Sequence, residues 1–337
     1  MDLHDLSGGG DVLSRIEITA RRALPAYDLS PEARVALVNV SENATFLVED
    51  AGARTILRVH RLGYHPPEAI LSELDWLSAL RDEAGVRIPA VIPARDGSRV
   101  VTVEDPGAAP RNCVMFEWAP GAEPPEDRLV EHFEPLGAIT ARMHRHARAW
   151  ARPAVFTRFR WDEDAAFGPA PRWGRWQDGA GVGREAREVL GRLESTLRDR
   201  LARYGKGPER FGLIHADLRL ANLLVDGAAG TTVIDFDDCG LGWYMYDLGA
   251  AVSFIEHHPE VPAMIDAWAR GYRTVLDLPE EDEREIWTFV MFRRLLLVAW
   301  IGSHPAVDVA RELGAGYTLG SCELAERFLA GSPRPSG

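Results

Sequence analysis

The stretch FGLIHADLRLANLLVDGAAGTTVIDFDDCGLG (211–242) constrains the fold more than any other part of the 337-residue chain. Leu223–Val225 and Thr232–Ile234 are apolar, β-prone runs on either side of Asp226-Gly227-Ala228-Ala229-Gly230, a run with turn chemistry. The spacing predicts a β-hairpin. With its turn centred between Ala228 and Ala229, facing positions have a constant sum, and Asn222 falls opposite Asp235. Directly opposed residues lie ~5 Å apart, close enough to share one cation. An amide oxygen, a carboxylate and water around a small octahedral ion describe Mg²⁺. The simpler alternative is that both residues cap the hairpin mouth.

Asp217 lies five residues before Asn222, on a polar loop just after the apolar Leu213-Ile214. A carboxylate beside a metal-bound phosphate can accept the proton of an incoming hydroxyl. The order His215-x-Asp217-x-Arg219-x-x-Asn222, then Asp235 after a strand, reproduces the catalytic loop and metal aspartate of kinases.

The earlier part of the chain reads as short strands around one helix. Ala44–Glu49 puts Ala44, Phe46 and Val48 on one face, Asp50-Ala51-Gly52 can turn, and Thr55–His60 returns. Pro66-Pro67 opens a helix to Leu80 with Ile70, Leu74, Leu77 and Leu80 as its apolar stripe. Glu73 falls inside that stripe, where a carboxylate is costly unless a cation meets it. Arg58, on the returning strand, is the natural partner. Of 38 basic residues only Lys206 is lysine, so a fixed cation here is arginine. A purely structural ion pair is the alternative.

Strands at Arg99–Val103 and Cys113–Phe116 follow, and beyond Gly121 helical periods dominate, as in Leu129–Ala147 and Asp282–Ile301. These patterns divide the chain into a β-rich lobe over 12–116, a hinge over 117–121 and a mostly helical lobe over 122–330. The first eleven residues read as a loose tail and 331–337 as a disordered one.

The motifs SENATFLV (41–48), TILRVHR (55–61), SELDWL (72–77), VMFEWAPG (114–121), LGAITARMH (136–144), HADLRLANLL (215–224) and VIDFDDCGLGWYMYDLG (233–249) resemble the aminoglycoside phosphotransferase and choline kinase superfamily. The resemblance spans roughly Val35 to Ala325. It implies an α+β, bilobal protein-kinase-like fold and transfer of a γ-phosphate from ATP or GTP, with Mg²⁺, to a small-molecule hydroxyl. By the same likeness Asp217 is the base, Asn222 and Asp235 bind magnesium, Arg58 meets the α/β-phosphates and Glu73 orients it. Glu117 and Ala119 would bond adenine, Asp247 would brace the catalytic loop, and Ser41 with Asn43 would lie in the phosphate-covering turn. That turn has no glycine over 41–46, unlike the loop of protein kinases. Arg219 sits where protein kinases keep a γ-phosphate lysine, and His215 reads as a scaffold residue.

Only eleven residues separate Asp235 from Asp247, too few to build a peptide platform, which favours a small acceptor such as an aminoglycoside, nucleoside antibiotic, homoserine or choline. Asp237, Asp238 and Glu256, with Asp162 and Asp164, are carboxylates that could bind an amine, the alternative being ordinary solvated charges; Asp237 stands apart, two residues after Asp235 and on its face if the strand continues. Trp161, Trp173, Trp176, Trp243, Tyr244 and Tyr246 could line its pocket by cation–π contact, although tryptophans more often plug cores. Phosphorylation of protein serine or threonine, a nucleotide-binding pseudokinase and a metal hydrolase using His215, Asp217 and His257 or His258 are the competing readings.

The composition excludes other classes. A hydrophobic content of 46% with 26% charge is globular, and a net charge of -13 argues against nucleic acid or anionic membrane as partner. Cys113, Cys239 and Cys322 show neither CxxC nor a disulfide framework. The opening MDLHDLSGGG does not resemble a signal peptide, and the longest apolar run, Leu295–Ile301, is far short of a membrane span. A cytoplasmic enzyme is expected.

Overall fold

The computed structural model describes residues 9–331 except 41, 106, 228 and 229. Ser41 and the tail beyond Gly331 therefore lie outside the described residues. The first described element is α1 (Gly9–Ala23), so residues 9–11 of the expected loose tail are helical. Ile16, Ala20 and Ala23 recur at helical spacing and are buried, which anchors this helix on the sheet that follows.

Strands β1 (Arg34–Val40), β2 (Ala44–Asp50) and β3 (Ala53–Val59) form an antiparallel meander. Ala51 (φ 48°) and Gly52 (φ 84°) make the two-residue turn between β2 and β3, both in the left-handed region that suits tight hairpins. Next come α2 (Pro67–Glu83), β4 (Val91–Ile92), β5 (Val101–Val103) and β6 (Arg111–Glu117). The sheet runs β1-β2-β3-β6-β4, with β5 also on β6. Alternation along the strands separates two cores. Leu57, Val59, Cys113 and Met115 face α1, whereas Val114 joins the larger core that contains α2.

The remainder is mostly helical: α3 (Leu129–Ala149), β7 (Arg160–Trp161), α4 (Glu163–Phe167), α5 (Arg184–Tyr204), β8 (Phe211–Ile214), β9 (Leu223–Asp226), β10 (Gly230–Val233), β11 (Gly240–Trp243), α6 (Tyr246–Ala251), α7 (Val261–Arg273), α8 (Glu280–Arg284), α9 (Ile286–Ser303) and α10 (Asp308–Leu329). The single helix expected over 282–301 is broken at Glu285 (φ -93°, ψ 0°), whose carboxylate is drawn to Arg200 and to the Thr288 hydroxyl one turn on. By length and composition α9 could cross a membrane, yet 83% of it is buried inside the protein, as a core helix.

The predicted hairpin forms, one residue out of register. Leu224 faces Thr232 and Leu223 faces Val233, so Asn222 stands opposite Ile234, whose N–H donates to the Asn222 carbonyl at 3.0 Å. The connection is three residues long, Gly227 to Ala229, and an odd count centres the turn on a residue rather than on a bond. Asp235 follows with φ 60°, a left-handed kink that ends the strand.

Candidate active site

The loop after β8 is held in place by buried polar groups. Fully buried Asp247, on α6, accepts the N–H groups of His215 (3.1 Å) and Ala216 (2.7 Å). Those bonds fix Ala216 at φ 68°, unusual for a residue with a Cβ. His144 of α3 also bonds Asp247 at 3.1 Å and takes the Tyr272 hydroxyl on its other nitrogen, at 3.1 Å. Burial depresses the pKa of both His144 and His215, keeping the rings neutral. His215 Nε2 bonds the Ile234 carbonyl at 3.2 Å while Nδ1 accepts the Asp217 N–H at 3.3 Å, tying the loop to the hairpin mouth.

Asp217 emerges from this scaffold surrounded by donors. Arg293 NH2 meets its Oδ1 at 2.6 Å, Arg219 Nε meets Oδ2 at 3.2 Å, and Asn222 Nδ2 donates to Oδ2 and to the Asp217 carbonyl, each at 2.8 Å. With Nδ2 so engaged, the Asn222 amide oxygen is left for a cation. Asp235 opens to the same cleft with 45% of its side chain exposed, 4.0 Å from Arg58. Desolvation, then the Asp237 charge, push its carboxyl up to about 7, with Arg58 pulling the other way. Such an excess of negative charge fits a bound cation.

Arg58 and Glu73 meet at 2.6 Å, and both are buried. The strand–helix pairing read from the apolar stripe is thus present as geometry. The Arg58 guanidinium also stacks over Phe116 at 5.1 Å. β6 ends at Glu117, which is exposed beside half-buried Ala119, and the chain then crosses to the hairpin. Ala122 and Val225 exchange both backbone bonds, at 3.2 and 2.8 Å. Gly121 has φ 121°, and a Cβ there would lie 3.0 Å from the Val225 carbonyl, so only glycine fits this crossing. Asn43 Oδ1 accepts the Arg61 N–H at 3.0 Å, which ties down the turn before β2.

A model of the phosphotransferase enzyme family matches residues 35–287. The chain belongs to that family. A solved microcompartment-associated aminopropanol kinase is 52% identical, with a TM-score of 0.88 over 94% of this chain and 98% of the other. An amicoumacin kinase solved with AMP-PNP and Ca²⁺ is 21% identical, with a TM-score of 0.77 over 97% and 98% of the two chains, a likeness of fold. The amicoumacin kinase of Bacillus subtilis (strain 168) is 27% identical over 210 residues, 61% of this chain and 59% of its own length. The chain thus spans about three fifths of that curated relative. The α+β fold with an antiparallel N-terminal sheet and a helical C-terminal part is the one these kinases share.

Several acceptor-site expectations for this family member are corrected by the structure. Glu256 is fully buried and both its oxygens are occupied, by Arg294 and by the Tyr317 hydroxyl. Trp243 is a core residue whose indole N–H donates to the Gly205 carbonyl at 2.7 Å. Trp176 and Tyr244 are buried as well, the former bonded to Glu194. Asp162 caps α4 and pairs with Arg160 and Lys206. Asp237 does not continue a strand face from Asp235, because the kink at Asp235 turns the chain. Its buried carboxylate faces His60 (3.5 Å) and His65 (3.7 Å) without a hydrogen bond. Trp161 and Tyr246 are fully buried too, so neither lines an open pocket, and they pack between Asp217 and the slightly exposed Asp238. Tyr246 OH accepts from Arg293 at 3.0 Å, and the Trp161 N–H donates to the Asp238 carbonyl at 2.7 Å.

Arg293, Tyr64, Arg158 and His144 escaped the sequence reading. Arg293 and Arg294 stand together in the otherwise apolar FVMFRRLLLVAW, and buried charges at that position require partners. Arg158 bonds the backbone carbonyls of Ala69, Asp237 and Cys239, joining α2 to the segment after Asp235.

Proposed function

We propose that the protein transfers the γ-phosphate of ATP or GTP to the hydroxyl of a small amino alcohol. The observation that supports this acceptor class is the 52% identity, across 94% of the chain, with an aminopropanol kinase. Asp217 accepts the hydroxyl proton as the acceptor oxygen bonds to the γ-phosphorus. The bond from that phosphorus to the β-phosphate oxygen breaks, and the nucleoside diphosphate leaves. Arg293 and Asn222 hold the Asp217 carboxylate in place, and Arg219 offsets charge on the transferring group. Arg58, steadied by Glu73, meets the α/β-phosphates; the Glu117 carbonyl and Ala119 amide receive the base, and Asn43 lies in the turn over the phosphates.

Asn222 and Asp235 would hold magnesium, a donor pair suited to an ion that keeps water and phosphate in its remaining positions. Among the described residues no group of three or more His, Cys, Asp or Glu could hold a metal without such help. When bound there, magnesium neutralises charge on the β- and γ-phosphate oxygens. Residues 12–116 and 122–330 act in this reading as two lobes on the 117–121 hinge. The short span from Asp235 to Asp247 weighs against a protein acceptor. Incubation with ATP, Mg²⁺ and aminopropanol should give one phosphate ester by ³¹P NMR. Ester formed from an antibiotic or a protein hydroxyl, and none from amino alcohols, would reject the acceptor class.

A further inference from the structure

We infer that the carboxylate of Asp238 receives the ammonium group of the acceptor while Asp217 receives the hydroxyl proton; this rests on the amino-alcohol reading above. Asp238 is 9% exposed, and its Oδ1 accepts the Tyr64 hydroxyl at 2.6 Å. Its Oδ2 has no hydrogen-bond partner, and the carboxylate no ion pair, among the described residues. The other carboxylates near it are already answered. Glu42 pairs with Arg61 at 2.7 Å and accepts the Trp300 indole N–H at 2.9 Å. Asp217 has Arg293 and Arg219. Glu256 has Arg294.

A chain of buried contacts links Asp238 to Asp217. Asp217 bonds Arg293, Arg293 bonds the Tyr246 hydroxyl, Tyr246 stacks on Trp161 at 6.0 Å between ring centres, and Trp161 bonds the Asp238 carbonyl. Asp237, by contrast, faces His60 and His65 behind Arg58. Burial, then the charges of Glu42, Asp217 and Asp237, raise the Asp238 carboxyl well above the ordinary range, while Arg61 pulls the other way without pairing with it. A primary ammonium carries three donors and one positive charge, the complement this group lacks. Tyr64 fixes the carboxylate from the opposite side.

The test compares aminopropanol with the neutral diol of the same length, using wild type and Asp238→Asn, whose amide oxygen still accepts from Tyr64. Wild type should prefer the amine, and Asp238→Asn should raise its KM by about 10- to 100-fold, the worth of one hydrogen bond to a charged group. The KM for nucleotide and turnover of the diol should hold steady. Unchanged preference for the amine in Asp238→Asn would overturn the assignment. Should that variant fail to fold, propylammonium must compete with aminopropanol on wild type where propanol does not; equal or absent inhibition by the two would overturn it. A wild type that phosphorylates no amino alcohol defeats the acceptor reading itself, which is a different result.

Discussion

At the scale of single residues, the site is a carboxylate whose freedom has been removed. Asp217 is fixed by Arg293, which is 2% exposed and also bonds Ser253, Tyr246 and the Ala216 carbonyl. Breaking a buried ion pair by removing one partner typically costs about 3–5 kcal/mol. Asp217 keeps some contact with water, so Arg293→Met should cost the lower end of that range, read by urea denaturation. Arg293→Lys, which retains the charge, should recover part of the loss; equal stability of all three proteins would contradict the ion pair's role. His144 sets a pH limit. Its folded pKa lies below the ordinary 6.5 because of burial, so its neutral form contributes stability above pH 6.5, and that stability is lost as pH falls towards the folded value. Stability of His144→Gln should be lower than wild type at pH 8 but fall less steeply between pH 6.5 and 5. The Asp217–Asn222 loop and the Arg58–Glu73 pair were legible because each shows in local spacing or in a charge within an apolar stripe. Arg293 was not, because its partner lies 76 residues away and only the fold joins them.

At the scale of elements, the hairpin shows what spacing can and cannot settle. The alternating apolar runs located both strands, but register depends on turn length, and the three-residue connection moved Asn222 from Asp235 to Ile234. The left-handed kink at Asp235 was invisible to a pattern argument, since aspartate adopts that conformation only where the surroundings impose it. It decides the site nonetheless, because it separates Asp235 from Asp237 and Asp238. Helices α3 and α7 supply the base on which the loop rests, through His144 and Tyr272. They approach so closely that a Cβ on Gly271 would lie 1.8 Å from the Glu134 carbonyl oxygen. Gly271→Ala should therefore destabilise the protein by about 1–3 kcal/mol or more, the usual cost of overpacking. A melting temperature within a degree of wild type would show that the helices can part.

At the scale of the whole molecule, a sheet packed against α1 and α2 is joined to a helical body, and the cleft collects residues from both. Arg58, Glu73 and Tyr64 come from the first part; Asp217, Asn222, Asp235 and Asp238 come from the second. The change from strand to helix periodicity near Gly121 made the order of sheet, then helices, readable in the chain. The lining of the acceptor side was much less readable, because tryptophans and carboxylates look alike in a sequence whether they plug a core or face a ligand. Trp161, Trp243 and Glu256 turned inward, whereas Asp238 keeps slight exposure at 9%. In the proposed reaction Asp217 takes the proton during phosphoryl transfer. At saturating ATP, Mg²⁺ and aminopropanol, Asp217→Asn should lower kcat by ~10²–10⁴-fold while nucleotide still binds. A folded variant that turns over within a few-fold of wild type would contradict it.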